Sequence, residues 1–533
     1  MLKKMTSPLV KNRKGPELLL VHPSFTNVYQ KAQEAMDYPA LEPPYRAALT
    51  AEFVRNRGHS VEILESNVLG LSAKKSATIA HETNPQLVQI EVHGNHPSAS
   101  SQLMDWVTDF NQTLKELDVN HKVLLTGTHP AALPQKTLLE GSGDYVGRGD
   151  GFHTTLGLLQ GVERDKIPGL WYIKEGLVVE GLHAKLLEPA EFNETFKKAA
   201  WDLLPIKDYR AHDWHCLENL DQRQPYMSLY TSFGCPFSCD FCCINAPFND
   251  GGLAKNRIRT RDPKIVVDEI EEVVRLHGAT PKKRLNLKII DEMFVFDQRH
   301  YTAIAQEIIA RNLGSSLNTW AYARVDTVKE GNLALLKSAG FNWLALGIES
   351  GSKHVREGVD KGRFGETDMV RVVKAIQNNG IYIVGNYIFG LPDDDAQTMQ
   401  QTYDLAVGLA CERPNFYCAM AYPGSGLHRM ASAGKYPLPQ NWDASRPLLP
   451  EDKEKGGPGW IGYSQHGYNT LNLPTAHLLP EQVLSYRDKA MVKYFSDPVY
   501  LERVAKQFGG NTARKFKEMN AITPKRKLLE RPQ

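Results

Sequence analysis

The chain has no surplus of charge of either sign. Its 63 Lys and Arg residues face 61 Asp and Glu residues, which leaves a net charge of +2 over 533 residues. Nucleic acid and anionic membranes attract proteins with a marked excess of basic residues, so this balance favours neither partner. The N-terminus also lacks a long apolar run, because the stretch 18–21 is too short for a signal peptide or a membrane span. We therefore expect a cytoplasmic protein with no membrane span and no bound nucleic acid.

Cysteine is scarce as well. The chain has seven, four of which fall between residues 235 and 243; this spacing does not suit a disulfide framework and is typical of a reducing compartment. Three of the four, Cys235, Cys239 and Cys242, follow the spacing C-x3-C-x2-C. Thiolates hold the irons of a cubane iron–sulfur cluster, so three of them leave the fourth iron with an open coordination position. An open position distinguishes a catalytic metal site from a structural one.

A zinc site is the alternative interpretation of this spacing. Its fourth ligand would have to come from Cys243, Cys216 or His215. Cys243 directly follows Cys242, and adjacent residues reach one tetrahedral ion with poor geometry. Cys243 is better explained as a small packed hydrophobic residue, and the spacing favours iron–sulfur over zinc.

The segment from Gly234 to Cys242, with Phe241 before its last cysteine, resembles the cluster loop of radical S-adenosylmethionine (SAM) enzymes. The resemblance implies that the three cysteines are catalytic and hold a [4Fe–4S] cluster, with Phe241 near SAM. It further implies that the open iron chelates the amino and carboxylate groups of SAM. One electron then cleaves SAM to methionine and a 5′-deoxyadenosyl radical, and a flavodoxin- or ferredoxin-type donor is expected to supply that electron.

Ahead of the cysteine loop, residues 16–160 alternate short apolar runs with helical stretches. The runs predict buried parallel strands at 18–22, 61–64, 87–92, 123–126 and 144–146. This is the pattern of a doubly wound, flavodoxin-like (Rossmann-like) α/β domain, whose ligands bind beyond the carboxyl ends of the strands. The loops there are rich in Gly, His and small polar residues, as a loop that approaches a large polar cofactor should be.

Such a domain before the cysteine loop resembles the cobalamin (B12)-dependent branch of the radical SAM methyltransferases. By this resemblance the strand-end loops bind cobalamin through Ser24, Asn95, Gly127, Thr128, His129, Gly147 and Gly149. The Asp-x-His-x-x-Gly signature that supplies a cobalt ligand elsewhere is absent, so we predict cobalamin without a protein histidine on cobalt. No cysteine precedes Cys216, which argues against the methylthiotransferase branch.

After a polar linker the alternation resumes and predicts six more strands, at 226–231, 285–290, 318–322, 343–348, 382–388 and 417–421. Six βα units make three-quarters of a (β/α)8 barrel, and barrel enzymes place their chemistry at the carboxyl ends of the strands. The resemblance places Glu292 at SAM's amino group, Arg324 at its carboxylate and Glu349 at its ribose. The other expected SAM contacts are Ser350, Gly385, Ile388 and Gly390.

A buried Glu or Arg at a strand end is more often a paired structural charge than a ligand contact. Here, four strand ends carry the expected residue type in the expected order. This agreement favours SAM contacts over structural charge pairs. We predict four units: a cobalamin-binding domain (1–160), a linker (161–225), a radical SAM (β/α)6 domain (226–430) and a mostly helical region (431–533) that caps the substrate site. The basic end, from Arg514 to Lys527, is expected to be a solvated tail.

The predicted function is methylation of an unactivated carbon, or of phosphorus, in a small-molecule substrate. A C–H bond cannot attack the methyl group of SAM, so a radical must first remove the hydrogen and methylcobalamin must supply the methyl group. The alternative keeps both cofactors but not the methyl transfer, and catalyses a cyclisation, rearrangement or oxidation. A third possibility is a cobalamin-binding sensor without enzymatic activity. Nothing in the sequence selects the substrate.

Overall fold

A computed structural model describes residues 15–25, 39–94, 99–249, 256–362, 364–436, 459–520 and 525–530. Within these ranges no helix is both long enough and apolar enough to cross a bilayer. Two parallel sheets organise the chain.

The first sheet has seven strands: β1 Leu18–His22, β2 Val61–Glu65, β3 Leu87–Val92, β4 Val123–Gly127, β5 Tyr145–Gly147, β6 Leu170–Lys174 and β7 Leu177–Glu180. Their order is β2-β1-β3-β4-β5-β6-β7. The first five strands are parallel and coincide with the five predicted ones to within a residue at each end. All residues of β1, β3 and β4 are buried, as apolar runs inside a two-sided parallel sheet should be. The flavodoxin-like prediction is confirmed.

Strands β6 and β7 correct the prediction for residues 161–225. They lie inside the predicted linker, form an antiparallel hairpin and extend the first sheet at its β5 edge. Glu175 and Gly176 turn the hairpin with positive φ angles of 53° and 79°, the geometry that matches the twist of paired strands. Sequence analysis assigned the hairpin to the linker although seven of its nine strand residues are Leu, Trp, Tyr, Ile or Val.

Among the described residues, seven α-helices accompany this sheet: α1 Tyr45–Arg55, α2 Ala73–Thr83, α3 Met104–Leu117, α4 Thr128–Ala132, α5 Pro134–Leu139, α6 Phe152–Leu159 and α7 Pro189–Thr195. Helix α1 is buried along its whole length except at Arg55, because it lies between the two halves of the molecule. The Tyr45 hydroxyl donates to Glu269 Oε2 at 2.8 Å on one side. On the other side, Arg46 Nε donates to Glu91 Oε1 at 2.9 Å.

The second half contains the strands β8 Tyr226–Leu229, β9 Ser232–Phe233, β10 Arg259–Thr260, β11 Leu285–Ile289, β12 Leu317–Arg324, β13 Phe341–Glu349, β14 Tyr382–Phe389 and β15 Arg413–Cys418. Six of them form an open parallel barrel in the order β8-β11-β12-β13-β14-β15, while β9 and β10 pair separately. Five strands lie where the sequence predicts them. The sixth, β15, begins four residues earlier than predicted. Its second residue, Pro414, usually argues against a strand, but it is tolerated here because β15 lies at the sheet edge.

The barrel helices are α8 Pro263–His277, α9 Gln298–Ala310, α10 Leu333–Ser338, α11 Lys353–Glu357, α12 Glu366–Asn378 and α13 Ala396–Leu409. Beyond the barrel follow α14 Gly426–Ser432, α15 Pro480–Phe495, α16 Pro498–Phe508 and α17 Gly510–Asn520. The expected solvated tail is wrong in two places. Phe516 of α17 is buried, and the buried Arg526 guanidinium lies 3.0 Å from Asp488 on α15.

The segment 459–520 contacts both halves of the molecule. Trp460 Nε1 donates to Glu140 Oε2 beside the first sheet at 2.9 Å. The Leu473 amide donates to the Ala419 carbonyl just after β15 at 3.0 Å. The C-terminal region thus joins the first domain to the barrel.

Candidate active site

The cysteine loop runs from β9 to β10 at the mouth of the barrel. It begins at Gly234, whose φ is +89°, and a Cβ there would lie 2.3 Å from the Arg257 carbonyl oxygen, so only glycine fits. Asn245 stabilises the loop through two hydrogen bonds to its backbone. Its Oδ1 accepts from the Cys235 amide, and its Nδ2 donates back to the Cys235 carbonyl, both at 2.9 Å. No sequence pattern marked Asn245 for this role.

The three loop thiols lie in a dry environment and within electrostatic reach of one another. Burial raises the pKa of Cys235 to about 11 and also raises the pKa values of Cys239 and Cys242. The pKa of Cys242 is raised further by the neighbouring thiols of Cys243, Cys239 and Cys235. Thiols held in this state need a metal to become thiolates, because bound cations favour the deprotonated form.

The donor set fits an iron–sulfur cluster better than zinc. Across the described ranges, no three His, Cys, Asp or Glu side chains converge on one metal position. Zinc needs such convergence because all its ligands reach one atom, whereas each thiolate of a cubane binds a different iron. The other zinc candidates are engaged: His215 Nε2 lies 2.8 Å from the Asn318 carbonyl oxygen, and Cys243 packs in the core beside the first sheet.

Arg324, at the end of β12, lies against the cysteine loop. Its Nη1 donates to Cys239 Sγ at 3.3 Å, and its guanidinium carbon lies 3.7 Å from the centre of the Phe237 ring. Its Nε and Nη2 donate to Asp326 at 2.9 and 3.0 Å. These donors are engaged with a loop thiol and a carboxylate of the protein itself, and the predicted contact with SAM's carboxylate stays a prediction.

Lys361 is a second buried cation at this site, which sequence analysis missed. Its Nζ lies 2.6 Å from Glu349 Oε1 and 5.8 Å from the centre of the Phe241 ring. Glu349 ends β13 with a φ of +68°, a left-handed conformation that is costly for a residue with a side chain and that often marks a functional position. Lys361 and Arg324 both act to lower the pKa of Cys239, although burial dominates and raises it.

Glu292 carries the clearest sign of a ligand contact. Its Oε2 accepts from the Gly234 amide at 2.9 Å, while Oε1 is buried and has no hydrogen-bond partner among the described residues. Burial raises the pKa of Glu292 to about 8, and the neighbouring Asp291 contributes to this rise. Asp291 itself accepts from the backbone and hydroxyl of Thr231 and from Ser232. Of these two neighbouring carboxylates, Glu292 is the one with an oxygen that no described residue engages; its predicted contact with SAM stays a prediction.

Of the remaining expected SAM contacts, Phe241 and Ile388 come together in one apolar cluster. Ser350 is buried, and its Oγ lies 3.2 Å from Thr402 Oγ1 and accepts from the Ser352 amide. These contacts shape the turn after β13 and occupy the hydroxyl that was expected to contact SAM.

The two glycines of β14 and its end are explained by packing inside the protein. A Cβ on Gly385 would lie 3.0 Å from the Tyr387 ring. Gly390 has a φ of +78°, and a Cβ there would lie 2.5 Å from Val483 of α15. Gly390 thus allows the C-terminal region to approach the barrel.

The described residues among the expected cobalamin contacts lie at the carboxyl end of the first sheet: Ser24, Gly127, Thr128, His129, Gly147 and Gly149. Asn95 falls outside the described residues. Gly127 has a φ of +109°, and its Cβ would lie 2.3 Å from the Val92 carbonyl oxygen, so the turn after β4 requires glycine. At Gly149 a Cβ would lie 2.7 Å from Ala184, a contact inside the protein.

The polar residues of the Gly127 turn are bonded mainly within the protein. Thr128 Oγ1 lies 3.1 Å from His93 Nδ1. His129 is buried with its Nδ1 2.8 Å from Ser101 Oγ, and its ring meets Trp460 edge-on at 4.4 Å. Burial lowers the pKa of His129 to about 3, so its imidazole is neutral at physiological pH.

A cavity of about 50 Å³ lies between the two sheets. His22 and Glu91, from β1 and β3, line one side, and Ser228, Tyr230 and Tyr322 from the barrel line the other. Ligands of doubly wound sheets and of barrels bind at the carboxyl ends of strands. In this molecule the two ends face each other across one space.

These features agree with the family comparison. Residues 229–406 match the family model of the Radical SAM superfamily, a range that spans the cysteine loop and the ends of β8 to β14. The chain thus contains a radical SAM domain.

Two relatives match the chain beyond this domain. An uncharacterized methyltransferase of Pyrococcus horikoshii is 25% identical over 464 residues, which cover 86% of this chain and 89% of the relative. The anaerobic magnesium-protoporphyrin IX monomethyl ester cyclase of Rubrivivax gelatinosus is 26% identical over 59% of this chain and 54% of its own length.

Solved structures share the fold. The radical SAM methyltransferase TsrM of Kitasatospora setae, with cobalamin and a [4Fe–4S] cluster bound, superposes with a TM-score of 0.65 at 17% identity, over 94% of this chain and 99% of TsrM. A second TsrM structure, with tryptophan substrate and a SAM analog bound, gives a TM-score of 0.64 at 18% identity, over 94% of this chain and 98% of that one. The resemblance to cobalamin-dependent radical SAM methyltransferases is confirmed at the level of domain and fold.

Proposed function

We propose that this enzyme methylates an unactivated carbon, or phosphorus, of a small-molecule substrate, with SAM and cobalamin as cofactors. The observation that carries the proposal is the shared cavity between the two strand-end edges. Its barrel side includes Ile290, two residues before Glu292, and its other side includes His93 and Gly94, just after β3. Two cofactors held at these strand ends would converge on one substrate atom.

The residues of the barrel suit the charges of SAM. The unpartnered Glu292 Oε1 would accept from the ammonium group, a charge-assisted bond about twice as strong as a neutral one. Lys361, beside Phe241 and Cys239, is the cation placed to receive the carboxylate if its bond to Glu349 opens, and Glu349 would then be free for the ribose hydroxyls. When bound, the cluster supplies the electron for SAM cleavage and cobalamin carries the methyl group.

The first domain would hold cobalamin without a histidine on cobalt. Two strand-end histidines are bonded elsewhere: His22 Nδ1 lies 2.7 Å from Glu65, and His93 lies near Thr128 and 3.4 Å from the Tyr230 hydroxyl. His129 is bonded to Ser101 through Nδ1, and its buried Nε2 has no hydrogen-bond partner among the described residues. The C-terminal region would exclude water from the cavity, because it joins the first domain to the barrel.

The one-electron donor would approach the exposed tip of the cysteine loop. Ser238 is exposed there, and Phe296, which is 42% exposed, meets Phe237 of the loop at 5.6 Å. A flavodoxin- or ferredoxin-type protein docked on this surface would bring its redox centre close to the cluster.

The test is anaerobic reconstitution with iron, sulfide and hydroxocobalamin, followed by reaction with SAM and a reductant. We expect both 5′-deoxyadenosine and S-adenosylhomocysteine from the wild type, and neither from the Cys239→Ala variant. Cys243→Ala is the matched control and should behave as wild type. Failure of the wild type to retain cobalamin would refute the proposal.

The second candidate function is a cyclisation or oxidation with the same cofactors, which is favoured by the relative named as a cyclase. It predicts 5′-deoxyadenosine without S-adenosylhomocysteine and a product that gains no methyl mass. Product masses from reactions with methyl-labelled SAM separate the two functions.

A further inference from the structure

Arg46 of α1 has one guanidinium nitrogen without a partner. The side chain is 3% exposed; its Nε donates to Glu91 at 2.9 Å and its Nη2 donates to the Asp150 carbonyl at 3.2 Å. Nη1 is buried, and no acceptor for it exists among the described residues. A buried N–H group without an acceptor destabilises the folded state unless a ligand or water satisfies it.

Ser228 of β8 shows the same feature on the opposite wall of the cavity. It is 1% exposed, and its Oγ is buried without a hydrogen-bond partner in the described part of the chain. Arg46 comes from the first domain and Ser228 from the barrel, yet both line the same cavity. Both groups line one cavity, and a single ligand oxygen held there would satisfy both.

The charges around the cavity are already paired. Lys288 Nζ lies 2.6 Å from Glu42, and Arg46 pairs with Glu91. An additional anion would find no unpaired cation here, whereas a neutral carbonyl oxygen can accept from both the guanidinium and the hydroxyl. The empty space is sufficient for a side arm of a ligand and too small for a whole macrocycle.

We propose that Arg46 Nη1 and Ser228 Oγ hold the oxygen of a peripheral carboxamide of the corrin ring. The corrin rim carries several neutral carboxamide arms, which match both the size and the charge balance of the cavity. This inference depends on the proposed function, since it requires that cobalamin binds. Arg46 is then a positioning residue that fixes the rotation of the ring relative to the barrel.

The test is titration of the full-length, cluster-reconstituted protein with hydroxocobalamin under anaerobic conditions, followed by absorbance. Arg46→Lys keeps the charge beside Glu91 but removes Nη1, and it should weaken binding about tenfold, the loss of one charge-assisted hydrogen bond. Ser228→Ala should weaken binding about threefold. The control is Arg55→Lys on the same helix, which should bind as the wild type does.

Each outcome has a distinct meaning. If the wild type binds no cobalamin, the proposed function fails. If the wild type binds and both variants bind equally well, the inference is overturned, even where turnover falls, because the carbonyl would then belong to the substrate. If Arg46→Lys melts at a much lower temperature than the Arg55→Lys control, its weaker binding reflects lost stability. The affinity of Ser228→Ala for hydroxocobalamin then decides the test on its own. Iron content and SAM affinity should stay unchanged in all variants.

Discussion

Replacing Glu292 by Gln is expected to stabilise the fold at neutral pH while it weakens SAM binding. Burial raises the pKa of Glu292 from 4.5 to about 8. At pH 7 the folded protein therefore holds a proton on this group, whereas the unfolded chain has released it. One pKa unit corresponds to about 1.36 kcal/mol, so burial of this acid costs about 3 kcal/mol of stability at that pH.

The sign of the effect follows from the two pKa values. Below about pH 4.5 both states are protonated and the acid costs nothing; the cost grows as the pH rises and reaches its full value above about pH 8. Gln cannot ionise and still offers an oxygen to the Gly234 amide. The stability gained in Glu292→Gln should therefore be small near pH 5 and grow toward pH 8.

Thermal unfolding of the cluster-free protein across this range measures the gain. Glu82→Gln, at an exposed position on α2, is the control and should show no comparable trend. A gain that does not change with pH, or a Glu292→Gln variant that melts below the wild type at pH 7, would contradict the reasoning. SAM affinity of the wild type should also rise with pH up to about 8, because the ammonium group needs the carboxylate form. The Gln variant should bind weakly and without this trend.

Three further results are expected. Each loop cysteine changed to Ala should lose iron and 5′-deoxyadenosine formation, whereas Cys243→Ala should keep both, as iron analysis and chromatography will show. Arg324→Lys should lower the reduction potential of the cluster, because it removes a hydrogen bond to a ligand sulfur; an unchanged potential in an electrochemical titration would contradict the assigned contact. Gly127→Ala should destabilise the protein and abolish cobalamin binding, since its Cβ would meet a backbone oxygen. Gly161→Ala is the control for the left-handed conformation alone, because a Cβ there meets no atom within 4 Å, and it should melt at a higher temperature than Gly127→Ala.

Apolar runs predicted the parallel strands well, because a strand that is buried on both faces appears in the sequence as a continuous hydrophobic run. The hairpin of β6 and β7 was assigned to the linker although its strands are mostly apolar. The start of β15 was missed because Arg413, Pro414 and Asn415 are not typical of a strand. The buried Arg526 was read as part of a solvated tail because its partner, Asp488, is distant in sequence. A charge run indicates solvent only when no tertiary partner exists.

Within the site, spacing and resemblance selected the cysteines and Glu292 but could not assign each contact. Arg324 donates to the Cys239 thiol and to Asp326, and Gly390 makes room for Val483. Their predicted contacts with SAM stay predictions. Lys361 carries no motif in the sequence at all. These roles depend on which hydrogen bonds each side chain already makes inside the protein. Those hydrogen bonds can be seen only in the three-dimensional structure.

Helix α1 and the residues before it hold the two halves of the molecule together. Lys288, inside the barrel, finds its counter-ion in Glu42, and Arg259 finds its own in Asp150 at 2.6 Å, both contributed by the other half. A barrel expressed alone would lose both counter-ions together with the surface that buries these cations. We therefore expect neither half to be stable when it is separated from the other.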